Sequence, residues 1–522
     1  MESPTIYSQH HFMFPFRWDI LPKGFEPEEV KENISFDKRT DLDKGIPDTF
    51  GNWERCKYKL TGENEFIDHE AYNEFTYFHK YVSKALFDFD HPLKTSLSVV
   101  KYFEYKINKD LPNQYIIEYL ENNSSNQIEL ELEGITLHFF NTGVGVLSFN
   151  LINKLESQKE KEVILKINEY GRRIYPQFLG KNGIQATKES ILANKITLII
   201  NRQLMAVEDF SWYNLHENNP TVAEPHRLPS FITGLFPELF TFCVTATLAD
   251  EKILISKVGD DRMFFQCWYG NNDLAGKIKD ENDWLYCYIF GDKGIPGIAN
   301  KSMQKGHLNT HTYGRWKDYG TLFGFARDSF VAISSDSKTL IENNAPDLRI
   351  HMRTMYYTLC ALCLAQRASV LKFTAEVANL ADLAKLEENK ALVGSIKDLY
   401  KNYIEFINKL YFREITPQIQ GIDIYNQFHE ILNLKEEIKD LDDEINDLNS
   451  YVSLLQDDKR NEEAATFNKW AAIFLPATIM FGIFGSNFFE KESFWPLLEI
   501  TWIGIGFIPS VIFYYIYKMK RR

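Results

Sequence analysis

Arg172 and Arg173 stand side by side after a glycine and between aromatics, in NEYGRRIYPQF. Adjacent guanidiniums can grip a phosphate through paired, charge-assisted hydrogen bonds. The competing assignment is two exposed helix charges that pair with nearby acids such as Glu169. His307 and His311 lie four apart in HLNTHTYG, a spacing that metals use on helices, but the Gly and Asn around them argue for a loop. Cys360 and Cys363 form a C-x-x-C within the apolar, helix-like YYTLCALCLAQ. As chemistry that is a redox or metal pair; as packing it is two small core residues one helical turn apart. Gly143-Val144-Gly145 sits in a strand-like run with no helix after it, so a hairpin turn or bulge is expected there. The chain has no G-x-x-x-x-G-K-S/T, no G-x-G-x-x-G and no H-E-x-x-H, so it is not expected to be an enzyme.

The elements that would position these residues belong to a 522-residue chain, 44% apolar and 25% charged, with a net charge of −14. That is long enough for two or three domains with real cores. An acidic chain is repelled by phosphate backbones, which argues against nucleic acid as the main partner. Six irregularly spaced cysteines fit a reducing compartment rather than a disulfide framework. The first residues lack a basic region followed by an apolar one, so no signal peptide is expected.

Residues 1–345 read as a mixed α+β domain. QYIIEYLE, IELELEGITLHFFNTGVGVLSFNL, ITLIINRQLMAVEDF and TLFGFARDSFVAIS read as strands and hairpins. AYNEFTYFHKYVSKALFDF and SQKEKEVILKINEYGRRIYPQF read as helices. From Leu348 to about Phe412 the pattern is helical, with Gly394 the single glycine and no proline. Ile431, Leu434, Ile438, Leu441, Ile445, Leu448, Val452 and Leu455 then alternate steps of three and four, an a/d seam among Asp, Glu, Lys and Asn. Such a seam packs against other helices, in a hairpin within the chain, in an oligomer, or in both.

Two apolar stretches follow. Phe467–Gly485 is interrupted only by Asn468, Lys469 and Thr478, and Phe494–Tyr517 by Glu499 and a few hydroxyls. A membrane-spanning helix needs roughly 20 apolar residues at ~1.5 Å each. The short loop FFEKES would make the two an antiparallel hairpin. Lys459, Arg460 and Lys469 flank the first stretch, and Lys518, Lys520, Arg521 and Arg522 follow the second. The positive-inside rule therefore places both termini in the cytosol, with the loop outside. Ala464, Phe467, Ala471, Leu475, Thr478 and Gly482 recur at steps of three and four and share one helix face.

The run NEEAATFNKWAAIFLPATIMFGIFGSN, Asn461 to Asn487, resembles the first transmembrane helix of the CorA family. Asn461-Glu462, Phe474-Leu475-Pro476 and Gly482-Ile483-Phe484-Gly485-Ser486-Asn487 stand in the family's order, and the resemblance covers roughly residues 350–522. It implies a CorA-like funnel: an α+β cytosolic domain (1–345), long stalk helices (346–460) and a two-helix C-terminal transmembrane hairpin (461–522). It implies a homopentamer in the plasma (inner) membrane. The face from Ala464 to Gly482 would line the pore, with Phe467 and Leu475 closing it by dewetting. Gly485, Ser486 and Asn487 would form the filter. A ring of Asn487 carboxamides can contact a hydrated cation without stripping its water. Glu490 and Glu492 would add negative charge at the outer mouth. Mg2+ is the implied permeant or regulatory ion.

This sequence departs from the family at two places. Ser486 replaces the Met of the family's G-M-N, which puts Mg2+ selectivity in question. Asn449 and Ser450 stand where the family carries an acidic, Mg2+-binding stalk residue; Asp443, Asp447, Asp457 and Asp458 are nearby. With its enlarged N-terminal part, the chain also resembles CorA-like membrane effectors of type III CRISPR systems. That resemblance implies gating by a nucleotide second messenger, an adenylated S-adenosylmethionine, with Arg172 and Arg173 as candidate phosphate ligands. A housekeeping divalent-cation transporter is the alternative.

Overall fold

The structure, a computed structural model, describes residues 5–27, 42–61, 66–88, 98–121, 124–175, 192–210, 228–259, 261–278, 281–386, 390–485 and 511. These belong to two compact units, Met1–Glu444 and Ile445–Arg522.

The first unit is built on one mixed sheet of fifteen strands among the described residues. Its central strand, β1 (Ser8–Leu21), was set apart in the sequence only for lacking a leader pattern. It is antiparallel to β7 on one side and, on the other, to β12 along its first half and β11 along its second. Pairing with β12 ends at Met13 and pairing with β11 begins at Phe16. Pro15 falls in that gap, where a residue without an N–H is tolerated inside a sheet. With neighbours on both sides, β1 buries Phe12, Phe14, Phe16 and Trp18 at every second position, and its polar first residues Ser8, Gln9, His10 and His11 are buried as well.

Beyond β2 (Thr49–Phe50), β3 (Trp53–Arg55) and β4 (Val100–Tyr105) come β5 (Gln114–Glu121), β6 (Ser124–Phe140) and β7 (Val144–Asn153). β6 and β7 are joined at Gly143, whose φ of 78° favours a residue without a Cβ. β8 (Lys195–Ile200) and β9 (Gln203–Asp209) are joined by Asn201 and Arg202, both at positive φ, as a two-residue primed turn requires. β10 (Phe240–Thr241), β11 (Lys252–Lys257), β12 (Phe264–Gly270), β13 (Thr312–Tyr313), β14 (Leu322–Ala326) and β15 (Ser329–Ser334) complete the sheet. β12 and β15 pair in parallel. Of the strands after β1, β5 to β9, β14 and β15 fall in the segments read as strands and hairpins from the sequence; β2 to β4 and β10 to β13 do not.

Helices cover the sheet. The helical stretch after Asp68 comes out as two pieces, α1 (His69–Tyr77) and α2 (Lys80–Leu86). Asp68 caps α1, accepting from the Glu70 and Ala71 amides at 2.9 and 3.1 Å. α3 (Lys161–Gly171) leads into the buried charge cluster described below, which meets the end of α4 (Asn282–Phe290), and α5 (Lys301–Thr310) follows. After α6 (Leu348–Arg353), the long α7 (Met355–Leu386) packs on β1 and β7, so its Leu359, Cys360, Leu362 and Cys363 are buried. α8 (Lys390–Lys409) packs on α7, and α9 (Ile419–Ile431) precedes α10 (Leu434–Gly485). The mixed α+β N-terminal part and the long helices after it are as read from the sequence.

The second unit begins within α10, at Ile445. The expected second apolar stretch, 494–517, lies outside the described residues apart from Val511. Among the described residues no helix is long and apolar enough to cross a membrane. The apolar stretch of α10 carries Asn468 and Lys469 near its start and is described only to Gly485.

Candidate functional site

α10 changes character along its length. Leu434, Ile438, Leu441, Ile445 and Val452 of the a/d seam are buried within one chain, and Tyr403 of α8 donates to the Ile438 carbonyl at 3.4 Å. This part of the seam is therefore the intramolecular packing that the heptad allowed. Further along the helix Leu454 is exposed, Phe467 is 73% exposed and Leu475 58%, and Trp470, Phe474 and Ile479 are also exposed. Ala464, Ala471 and Thr478 are exposed too, and the Thr478 hydroxyl donates back to the Phe474 carbonyl at 2.9 Å. Gly482 and Gly485 lie in the last turns of the helix. Ser486, Asn487, Glu490 and Glu492 lie outside the described residues. Asp443, Asp447, Asp457 and Asp458 are exposed, and the described residues hold no group of three or more metal-type side chains.

The arginine pair is not offered to a ligand. Arg172 is 1% exposed and Arg173 4%. Arg172 Nη2 donates to Glu169 at 3.3 Å and to the Gly291 carbonyl at 3.1 Å, and the guanidinium lies 5.0 Å over the Phe265 ring. A Cβ at Gly291, which caps α4 at a φ of 76°, would run into that guanidinium. Arg173 Nε donates to Glu169 at 3.0 Å, and its Nη1 pairs with the buried Asp261. The sequence expectation of a phosphate grip, and its alternative of exposed helix charges, both give way to a buried ion cluster. Only the pairing with Glu169 carries over. The physical reason is position: the pair ends α3, and Glu169 lies one turn back on the buried face of that helix.

His307 and His311 also differ from expectation. The segment is the helix α5, capped by Asn300, rather than a loop. The two rings are 5.7 Å apart and pack around Phe290 at 5.9 and 5.0 Å. His311 Nδ1 bonds back to the His307 carbonyl at 3.0 Å, and burial lowers its pKa. Cys360 and Cys363 are free, buried thiols on α7, and burial pushes both pKa values up, away from thiolate chemistry.

A cavity of about 490 Å³ in the first unit was not visible in the sequence. Its floor is the sheet, with His11 of β1, Tyr102 of β4, and Glu133, Thr136 and His138 of β6. Arg353 at the end of α6 and Tyr357 and Thr358 of α7 cover it, and Glu74 of α1 and the segment Lys57-Tyr58-Lys59 close it. Glu74 accepts from Thr358 Oγ1 at 2.6 Å and from the Tyr58 hydroxyl at 3.2 Å, and burial raises its pKa. Arg353 donates to Glu133 at 3.2 Å and to Glu70 at 2.5 Å. The Tyr357 hydroxyl reaches Thr136 at 2.6 Å and Ser148 at 3.0 Å. Burial lowers His11 and His138 to about 4, so both rings are neutral near pH 7. The lining runs from His11 to Leu362 without any two motif-like neighbours. No local pattern could have found it, because the fold alone brings these segments together.

No curated protein matches the chain. A solved structure, the complete CorA magnesium transporter from Methanocaldococcus jannaschii, aligns with 51% of this chain and 94% of its own at 13% identity, with a TM-score of 0.19. The Asn461-Glu462, Phe474-Leu475-Pro476 and Gly485-Ser486-Asn487 signatures all fall within the stretch matched by a family model. That stretch, residues 369–521, matches the family described as CorA-like Mg2+ transporter protein, so the C-terminal part of this chain carries a CorA-like domain.

Proposed function

We propose that the chain is one subunit of a CorA-like homopentameric cation channel of the plasma (inner) membrane, with its N-terminal part in the cytosol. The reading rests on one coincidence: the helix inside the matched stretch is the one that leaves Phe467 and Leu475 exposed in the single chain. A contiguous apolar helix face of this kind is suited to cyclic self-association, and five copies would enclose a pore. In that ring Ala464, Phe467, Ala471, Leu475, Thr478 and Gly482 line the pore. Gly485, Ser486 and Asn487 form the filter, Glu490 and Glu492 flank the outer mouth, and residues 494–517 face lipid. Residues 1–345 sense, 346–460 transmit and 461–522 conduct.

Gating falls to a cytosolic nucleotide second messenger of the adenylated S-adenosylmethionine kind, in type III CRISPR antiviral defence. A ligand moves a gate only through its differential affinity for the two states. Five equivalent sites preferring the open state by ~1 kcal/mol each sum to ~5 kcal/mol, enough to nearly invert a two-state population. A second reading, a housekeeping Mg2+ transporter, is favoured by the family's own description.

The test is the purified full chain by native mass spectrometry and in liposomes. A pentamer is expected, and a stable monomer or dimer at micromolar concentration would sink the reading. Phe467→Ala should leak at rest, and Asn487→Ala should change flux with assembly intact. If both behave like the unmodified chain, the pore assignment is wrong. Cation flux that appears only with the nucleotide supports the effector. Constitutive Mg2+ flux indifferent to it returns the protein to the transporter reading.

A further inference from the structure

We infer that the cavity between β4, β6 and the start of α7 is a ligand site for a purine nucleotide that also carries positive charge. The inference rests on the nucleotide-gated reading above and gives it a location. Four observations carry it.

The first is size and polarity. About 490 Å³ lies in the range of small-molecule pockets, and the lining mixes polar groups such as Glu74, Tyr102, Thr136 and Thr358 with apolar ones such as Leu86, Val100 and Ile135. The second is a polar ring at the wall: His138 lines the cavity, and burial lowers it to about 4, so it stands there neutral near pH 7. The third is the arrangement of charge. The carboxylate of Glu74 is held inside by Thr358 and Tyr58, whereas Lys59 and Lys109 are exposed where the cavity meets solvent. An occupant with a cation directed inward and an anion directed outward satisfies both. The fourth is the rings. Tyr58 and Phe87 stand 4.2 Å apart and Tyr102 and His138 4.9 Å apart, and all four line the cavity, offering flat surfaces to a base.

The location also suits control. Arg353, Tyr357, Thr358, Ala361 and Leu362 line the cavity from α6 and α7, the helices that open the helical half of the first unit. An occupant that touches Thr358 and Glu74 together ties α7 to α1. A preference for one position of α7 would then reach the helices that follow it.

The experiment is calorimetry on the full-length chain in lipid nanodiscs with three probes. These are adenylated S-adenosylmethionine (purine, cation and anion), S-adenosylmethionine, and AMP, which has no cation. Glu74→Gln is expected to weaken the two cationic probes about tenfold or more and to leave AMP unchanged. Lys59→Ala combined with Lys109→Ala is expected to weaken AMP and the adenylated probe. Both lysines are exposed, so this variant keeps its fold, and an unchanged melting curve for each variant guards against unfolding. Affinity unchanged in both cavity variants, or no binding of any probe, overturns the site. Ligand-dependent flux that persists in both variants overturns the site but keeps the gated channel. Binding that the variants weaken, without any change in flux, keeps the site and sinks the gated reading.

Discussion

Arg173 bridges two carboxylates inside the protein, Glu169 one turn back and Asp261 from another segment. Each of the three is 5% exposed or less at the side chain. Charges this deep are tolerated only in pairs, and removing one partner strands the others in low dielectric. Arg173→Ala is therefore expected to lower the unfolding free energy by about 3–5 kcal/mol, read from denaturant titration of tryptophan fluorescence. A variant as stable as the unmodified chain would mean that water already reaches the cluster. Arg172→Ala should behave similarly, because Arg172 stacks on Phe265 and bonds to the Gly291 carbonyl that ends α4. Neither substitution is expected to act through ligand affinity. Glu74 is the opposite case: among the described residues it accepts from two neutral hydroxyls, those of Thr358 and Tyr58, and burial raises its pKa.

At the scale of elements, one helix serves two purposes. The first turns of α10 bury Leu434, Ile438 and Leu441 in the first unit, while its later turns expose Phe467 and Leu475. Substitutions in the two parts should separate accordingly. Leu441→Ala removes a side chain that is 1% exposed and is expected to cost about 2–5 kcal/mol of stability. Phe467→Ala should leave the melting of the soluble part within about 0.5 kcal/mol, as for surface positions, while changing flux or assembly. Equal thermal losses in both variants would show that the exposed face is packed in the assembled protein more like a core. β1 is the other decisive element. Its fourteen residues pair with three strands, so the sheet has no centre without it.

At the scale of the whole molecule, the described residues hold four buried histidines that burial lowers to about 3 or 4: His10, His11, His138 and His429. Unfolded, each returns to an ordinary value near 6.5. Below that value the unfolded chain binds protons that the folded chain does not, so stability falls as pH falls. Stability from these groups is fully present above pH 6.5 and is lost progressively down to about 4 for His11, His138 and His429 and to about 3 for His10. Each contributes a slope of up to about 1.4 kcal/mol per pH unit in that window. Melting temperature should drop steeply between pH 6.5 and 4.5, and a His429→Gln variant should show a shallower slope. An unchanged slope in that variant would remove His429 from the effect.

What the sequence determined by itself is what repeats locally. Period-two runs with turn residues marked the β6–β7, β8–β9 and β14–β15 hairpins, because register and turn chemistry are written within a few residues. The a/d seam marked α10, since a packed helix repeats its contacts every turn, and the signatures from Asn461-Glu462 to Asn487 lie in the stretch that the CorA-like family model matches. What only the tertiary structure decided depends on distant segments. Ser8–Leu21 became the central strand because β7, β11 and β12 flank it, and its start, the polar Ser8, Gln9, His10 and His11, does not read as core from the sequence. The arginine pair went inside because Asp261, some ninety residues on, was there to neutralise it. The cavity exists because α1, β6 and α7 meet, and Glu74 and Thr358 lie 284 positions apart in the chain yet 2.6 Å apart in the fold.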